Sequence, residues 1–106
     1  MVADINAIDL AQRLAQPNPP TLIDVREPDE FGFCHIEGAQ LKPLGEIETW
    51  AAELDPAAEY VVLCHSGYRS LQAAGYLQRR GIPHVQNLRG GIDAWSVFVD
   101  PNVRRY

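Results

Sequence analysis

The sequence contains few cysteines and few basic residues. Its 106 residues include two cysteines, which are too few for a disulfide framework and lack the spacing of a zinc site. Nine basic residues against 14 acidic ones give a net charge of −5. This balance argues against a general nucleic-acid-binding surface, because phosphate binding needs a basic face.

Long hydrophobic runs are also missing. No apolar stretch approaches the roughly 20 residues that span a bilayer, and the first residues lack the basic and apolar regions of a signal peptide. We therefore expect a reduced, cytoplasmic protein that needs no metal or cofactor and contacts neither membrane nor nucleic acid.

What remains is an ordinary globular composition, with 46% hydrophobic and 22% charged residues, and a length that suits one domain over residues 1–106. Short strand-forming runs alternate with segments that have apolar residues at helical spacing. The predicted strands cover 21–25, 38–44, 60–63 and 84–88, and the predicted helices begin after Asn6 and Glu27 and cover 45–54, 69–80 and 92–97. This alternation predicts an α/β fold, a three-layer α/β/α domain with a small, mainly parallel central sheet. The last residues are expected to pack through Phe98 and Tyr106.

The most informative stretch is Y-V-V-L-C-H-S-G-Y-R-S, residues 60–70. Cys64 follows an apolar strand that we predict to be central, at the edge of the sheet where ligands of parallel α/β proteins bind. The next residues can curl so that their backbone N–H groups point inward, and Gly67 permits such a turn. The following helix adds its positive N-terminal end, and Arg69 adds a permanent charge. These features favour a negatively charged sulfur, so we predict that Cys64 is a nucleophile in an anion-binding loop.

The same loop supplies the other candidate site residues. His65 is either a proton-donating or donor-binding residue or one rim residue among others, and Tyr68 either shapes the mouth of the pocket or merely exposes its ring. Ser66 and Ser70 are expected to order the loop through their hydroxyl and N–H groups. The predicted catalytic residues are Cys64 and Arg69, and the predicted binding loop comprises His65, Ser66, Gly67, Tyr68 and Ser70.

A few residues outside the loop are candidates for supporting roles. Asp24 and Arg26 lie close together at the end of a predicted strand, so both can belong to a polar layer beneath the loop. Arg26 either reaches an anionic donor or forms an ion pair with Asp24 or Glu27. His35 is expected to hold the fold by hydrogen bonding rather than to catalyse. Cys34 is expected to be a packed thiol, the alternative being a second thiol that forms a disulfide with the loop cysteine.

Four motifs occur in order along nearly the whole chain. They are L-I-D-V-R-E at 22–27, C-H-I-E-G-A at 34–39, C-H-S-G-Y-R-S at 64–70 and N-L-R-G-G-I-D-A-W at 87–95. With them the sequence resembles a single-domain rhodanese, whose active-site loop is C-x-x-G-x-R-S and whose last motif is L-x-G-G-x-x-x-W. One such motif is weak evidence, whereas four in register support a family resemblance.

The resemblance implies a rhodanese-like fold and sulfur transfer. A donor such as thiosulfate or a persulfide would give its sulfane sulfur to Cys64, and the Cys64 persulfide would pass it to cyanide in vitro or to a thiol or sulfur-carrier protein in vivo. The amides of residues 65–69 would hold the persulfide, and Arg69 would order the loop. The C-terminal part is also similar to the rhodanese domain of adenylyltransferase fusions, so a sulfur carrier or a cysteine desulfurase is an expected partner.

Two other functions fit the same elements. Phosphatases and arsenate-reducing relatives use a C-x5-R loop, whereas Cys64 and Arg69 bound a C-x4-R loop of six residues. The shorter loop fits one sulfur better than a tetrahedral oxyanion. A non-catalytic interaction module with this fold is the second alternative, and the intact C-x-x-G-x-R-S motif argues against it.

Overall fold

The computed structural model describes residues 2–106 and contains a five-stranded parallel sheet. The strands are β1 (Ala3–Ile5), β2 (Thr21–Asp24), β3 (Gln40–Leu41), β4 (Tyr60–Leu63) and β5 (Val85–Leu88), in the order β1-β5-β4-β2-β3 across the sheet. The helices are α1 (Ala7–Leu14), α2 (Pro28–Phe33), α3 (Ile47–Ala51), α4 (Tyr68–Arg79) and α5 (Gly91–Phe98), and a 3-10 turn (Leu44–Glu46) precedes α3. The predicted α/β architecture with a parallel central sheet is confirmed.

β4 lies in the middle of the sheet because its side chains are apolar on both faces. It pairs in parallel with β2 on one side and β5 on the other. Val61 and Leu63 pack in a cluster with residues of α1 and α5, whereas Val62 and Cys64 pack with residues of α3 and α4. Full burial of one such aliphatic side chain contributes about 1.5–3 kcal/mol to folding. The period of two along β4 therefore places Cys64 on the α4 side of the sheet.

The structure differs from the sequence-based expectation in four places. The strand expected over 38–44 is shortened to β3, because Pro43 cannot donate a hydrogen bond to the sheet and the 3-10 turn begins at Leu44. β1 is not predicted, because three residues are too few to display a period. The single helix expected over 45–54 is divided into the 3-10 turn and α3. The expectation that Phe98 packs is wrong, since 65% of this residue is exposed.

None of the helices between residues 2 and 106 is long and apolar enough to cross a membrane.

A glycine at the start of α5 brings this helix against the Cys64 loop. α5 donates two backbone N–H groups to the carbonyl oxygens of Cys64 and His65, at 2.8 and 3.1 Å. Gly91 has a φ of 61°, and a Cβ at this position would collide with the same two carbonyl oxygens. The close approach therefore requires glycine, which gives a structural reason for the second glycine of N-L-R-G-G.

Candidate active site

The Cys64 sulfur lies at the base of the loop between β4 and α4. The residue is 1% exposed, and its Sγ accepts a hydrogen bond from the backbone N–H of Gly67 at 3.1 Å. Gly67 has a φ of 112° and caps α4, so the chain curls around the sulfur at the positive end of this helix. The loop can stabilise negative charge on Cys64 or on a sulfur bound to it.

The hydroxyl of Ser70 contacts the Cys64 sulfur. Its Oγ lies 3.3 Å from Cys64 Sγ and 2.5 Å from Oδ1 of Asn87. Because an amide oxygen only accepts hydrogen bonds, the hydroxyl proton points to Asn87 at this short distance and a lone pair of Ser70 faces the thiol. Rotation of the hydroxyl would turn its proton toward a charged sulfur.

Asn87 is a further residue of the site and is not among the residues predicted from the sequence. It is 5% exposed and stands at the carboxyl end of the sheet, where its Nδ2 lies 3.2 Å from Oδ1 of Asp4 and 3.4 Å from the carbonyl oxygen of Gly67. The available signal is its place as the first residue of the motif N-L-R-G-G-I-D-A-W, and a buried polar side chain at that place needs partners.

Arg69 forms an ion pair with a glutamate of α2. Its Nη1 and Nη2 donate to Oε1 and Oε2 of Glu30 at 2.7 and 2.9 Å. This bidentate contact lowers the pKa of Glu30 from 4.5 to about 2, against the opposing effect of burial, and the same contact raises the pKa of Arg69. Glu30 therefore stays ionised and anchors the loop arginine to α2.

Tyr106 covers this ion pair. Its hydroxyl donates to Oε2 of Glu30 at 2.7 Å and accepts from Nη1 of Arg26 at 3.0 Å. Its ring stacks on that of His65, with centroids 4.1 Å apart and planes 14° apart. Burial raises the pKa of Tyr106, which keeps the phenol protonated. His65 is thus placed on the rim under an aromatic ring, while Ser66 and Tyr68 are exposed.

Arg26 forms an internal ion pair with Asp24, one of the two alternatives considered from the sequence. Both side chains are 0% exposed, and Nη2 of Arg26 lies 2.7 Å from Oδ2 of Asp24. Arg26 also donates to the carbonyl oxygen of Cys34 at 2.7 Å. A donor in solution has no direct access to this guanidinium, so Arg26 ties β2 to the segment after α2.

His35 and Cys34 lie outside the loop. Nδ1 of His35 donates to the carbonyl oxygen of Phe31 at 3.0 Å, and the two rings stack at 4.2 Å, which agrees with a role in holding the fold. Cys34 is a free, buried thiol. It packs on the α1 and α5 side of the sheet, whereas Cys64 packs on the α4 side. This placement favours packing over a disulfide between the two thiols.

No group of three or more His, Cys, Asp or Glu side chains suited to a metal ion occurs within residues 2–106. The site instead consists of a buried sulfur, a turn of backbone amides, a serine and an arginine held by a carboxylate. Such an arrangement can activate a thiol and stabilise a charged sulfur bound to it.

Comparison with known proteins gives consistent matches. The model of the family described as "Rhodanese-like domain" matches residues 6–97. A sulfurtransferase of Allochromatium vinosum is 40% identical over 96 residues, covering 91% of this chain and 90% of that protein. The chloroplastic rhodanese-like/PpiC domain-containing protein 12 of Arabidopsis thaliana is 38% identical over 112 residues.

Some of these relatives are much longer than this chain. The chain is covered to 99% by the Arabidopsis match but spans only 38% of that protein. The probable adenylyltransferase/sulfurtransferase MoeZ of Mycobacterium tuberculosis is 37% identical over 87 residues, which are 80% of this chain and 22% of MoeZ. Among solved structures, a rhodanese-like domain protein from Staphylococcus aureus superposes with a TM-score of 0.86 at 27% identity, covering 99% of both chains.

Proposed function

The chain belongs to the rhodanese-like domain family, and from this premise we propose that it is a sulfurtransferase that carries sulfane sulfur as a persulfide on Cys64. The observation that carries the proposal is the environment of the sulfur: a buried Sγ that accepts the Gly67 N–H at 3.1 Å and lies 3.3 Å from the Ser70 hydroxyl. The sulfurtransferase that matches 91% of the chain supports the same reaction class.

The reaction has two displacement steps at sulfur. In the first, the Cys64 thiolate attacks the outer sulfur of the donor, a new S–S bond forms, and the electron pair of the donor's own bond to that sulfur leaves with sulfite or a thiolate. In the second, an acceptor such as cyanide attacks the outer sulfur of the Cys64 persulfide. The S–S bond breaks, the Cys64 thiolate is regenerated, and thiocyanate is released.

The loop residues have distinct roles in this scheme. The backbone amides of residues 65–69 stabilise the charged persulfide, as the Gly67 N–H does for the resting sulfur. Ser70 offers a hydroxyl that can turn its proton toward the charged sulfur. Arg69, fixed by Glu30, holds the start of α4 and thereby the loop in place.

Mass spectrometry of the intact protein tests the proposal. After incubation with thiosulfate or an alkyl hydropersulfide, we expect the mass to increase by one sulfur atom, and cyanide to remove it as thiocyanate. Cys64→Ser is expected to abolish both. Cys34→Ser is the matched control, because it removes the other free thiol, and it is expected to keep both reactions.

Three results would contradict the proposed sulfur transfer on Cys64. Sulfur uptake that persists in Cys64→Ser would contradict the assignment of the nucleophile. Phosphate release from an aryl phosphate without sulfur uptake would indicate the oxyanion enzyme, and the absence of both reactions would indicate a non-catalytic interaction module.

A protein acceptor is part of the proposal. The matches to MoeZ, a probable adenylyltransferase/sulfurtransferase, and to the putative sulfur carrier protein YrkF of Bacillus subtilis support delivery of sulfur to a small sulfur-carrier protein, and a cysteine desulfurase is a suitable donor. Transfer of labelled persulfide sulfur from the loaded protein to a purified carrier tests this step, and no transfer to any carrier would remove its support. The two free thiols suit a reducing, cytoplasmic location, which cell fractionation would check.

A further inference from the structure

The arginines around the Cys64 loop are already engaged by other groups of the protein. Arg69 is paired with Glu30 and Arg26 with Asp24. Arg105 pairs with Asp93 at 2.8 Å, and the guanidinium of Arg104 lies 4.2 Å from the centroid of a phenylalanine ring. Three of these four charges are therefore balanced by a carboxylate, including that of the loop arginine, whereas Arg104 contacts only an aromatic ring.

Glu30 holds its position through contacts on both oxygens. Besides the two hydrogen bonds from Arg69, its Oε1 accepts the backbone N–H of Glu27 at 2.9 Å and its Oε2 accepts the Tyr106 hydroxyl at 2.7 Å. Its side chain remains 19% exposed, so the carboxylate contributes to the rim. The charge of Arg69 is thereby cancelled where an incoming anion would meet it.

The rest of the rim is largely aromatic. The rings of His65 and Tyr106 stack on each other, Phe33 meets Tyr106 edge to face at 5.8 Å, and Tyr68 is 64% exposed beside the loop. Such a surface contacts the carbon skeleton of a thiol more favourably than a small, strongly hydrated dianion.

We propose that Glu30 is a specificity-determining residue that makes the site take its sulfur from a thiol-borne persulfide in preference to a dianionic donor such as thiosulfate. The inference rests on the proposed sulfur transfer. The preferred first step is attack of the Cys64 thiolate on the outer sulfur of R–S–SH. The S–S bond of the donor breaks, R–S⁻ leaves with its electron pair, and the Cys64–S–SH persulfide forms with the donor's proton. Tyr106 is a positioning residue, since it acts through Glu30.

Donor kinetics in the Glu30→Gln variant test the inference. The amide keeps an oxygen that can accept the Glu27 N–H but removes the charge that holds Arg69. With cyanide as acceptor, kcat/KM is measured for thiosulfate and for the hydropersulfide of 2-mercaptoethanol. We expect the ratio of the two values, thiosulfate over hydropersulfide, to rise at least about fivefold, because one repulsive charge near a dianion is removed and Arg69 is freed.

Glu59→Gln is the matched control. Glu59 pairs with Arg13 at 3.2 Å. It directly precedes β4, whereas Cys64 directly follows β4, so the two residues lie at opposite ends of this strand. The substitution makes the same change in net charge, and it is expected to leave the donor ratio within about twofold of the wild type, because salt screens charges beyond about 10 Å. Tyr106→Phe keeps the ring but removes the hydroxyl from Glu30, so a smaller rise in the ratio is expected. This variant also tests the inference should Glu30→Gln fail to fold.

The outcomes separate the inference from the proposed function. The inference is overturned if the donor ratio in folded Glu30→Gln is unchanged or lower than in the wild type. If Glu30→Gln does not fold, the same result in Tyr106→Phe overturns it. In either case, loading of Cys64 by both donors leaves the sulfurtransferase proposal intact. An equal rise in Glu59→Gln also overturns it, because the effect would then follow net charge alone. Failure of both donors to load wild-type Cys64 overturns both proposals.

Discussion

Removal of the Asp24 carboxylate is expected to destabilise the protein strongly. In Asp24→Asn, the buried guanidinium of Arg26 loses the opposite charge that balances it. The carboxylate accepts from Nε of Arg26 at 2.9 and 3.1 Å, from Nη2 at 2.7 Å and from the Arg26 backbone N–H at 3.1 Å. Asparagine retains one acceptor oxygen and places an NH2 group against the guanidinium donors.

The expected loss is about 3–5 kcal/mol in the free energy of unfolding, the usual cost of leaving a buried charge without its partner. Both side chains are 0% exposed, so water cannot compensate for the lost contact. The total free energy of unfolding of a domain of this size is roughly 5–15 kcal/mol. The variant is therefore expected to unfold at a much lower urea concentration than the wild type. Equilibrium urea denaturation at pH 7, followed by circular dichroism, measures the difference.

Two further variants make this reasoning refutable. Asp93→Asn removes the same group from an exposed ion pair with Arg105 and is expected to leave stability nearly unchanged. The double variant Asp24→Asn/Arg26→Met removes both charges, so it is expected to be more stable than Asp24→Asn alone. A loss below about 1 kcal/mol in Asp24→Asn, or a double variant that is less stable still, would refute the assignment of an uncompensated buried charge.

Two other predictions concern the loop anchors. Gly91→Ala is expected to lose about 2 kcal/mol or more of stability in urea denaturation, because its φ of 61° and the carbonyl oxygens beside it leave no room for a Cβ. The control Gly32→Ala, where no atom lies within 4 Å of the added Cβ, is expected to be neutral or stabilising, and equal losses would contradict the account. Because folding lowers the pKa of Glu30 from 4.5 to about 2, its contribution to stability is fully present above pH 4.5 and is lost as the pH falls toward 2. The stability difference between wild type and Glu30→Gln, on the order of 2 kcal/mol after allowance for solvent screening, is expected to shrink over that interval in urea titrations, and a difference that does not change with pH would contradict it.

The sequence predicts the central part of the fold well because the relevant signals are local. An apolar run of four residues identifies β4, whose pattern is buried throughout. Asn6 is expected to cap α1, and its side chain accepts the N–H of Asp9 at 2.8 Å. The helix predicted over 69–80 ends directly before Gly81, whose φ of 89° suits the residue after a helix. Each of these features depends on neighbours along the chain.

Only the loop residues of the candidate site can be predicted from the sequence. The loop from Cys64 to Ser70 forms one continuous motif, so its residues can be named before the structure is known, and their catalytic roles stay predictions. Glu30 lies 39 positions from its partner Arg69, and charge spacing along a chain carries no information about such a pair. Tyr106 approaches the loop from the end of the described chain, through contacts that depend on the packed fold.

β1, the strand that the sequence does not predict, contributes to the hydrogen bonds around the Cys64 thiol. β1 buries only one of its three residues and pairs with β5 alone, so its sequence shows no strand pattern. Yet Asp4, in the middle of β1, accepts from Nδ2 of Asn87 at 3.2 Å. This contact directs the amide nitrogen toward β1 and the amide oxygen toward Ser70, and that oxygen accepts a hydrogen bond from the Ser70 hydroxyl at 2.5 Å. The orientation of the hydroxyl next to Cys64 is therefore determined by a carboxylate on the edge strand, two hydrogen bonds away from Ser70.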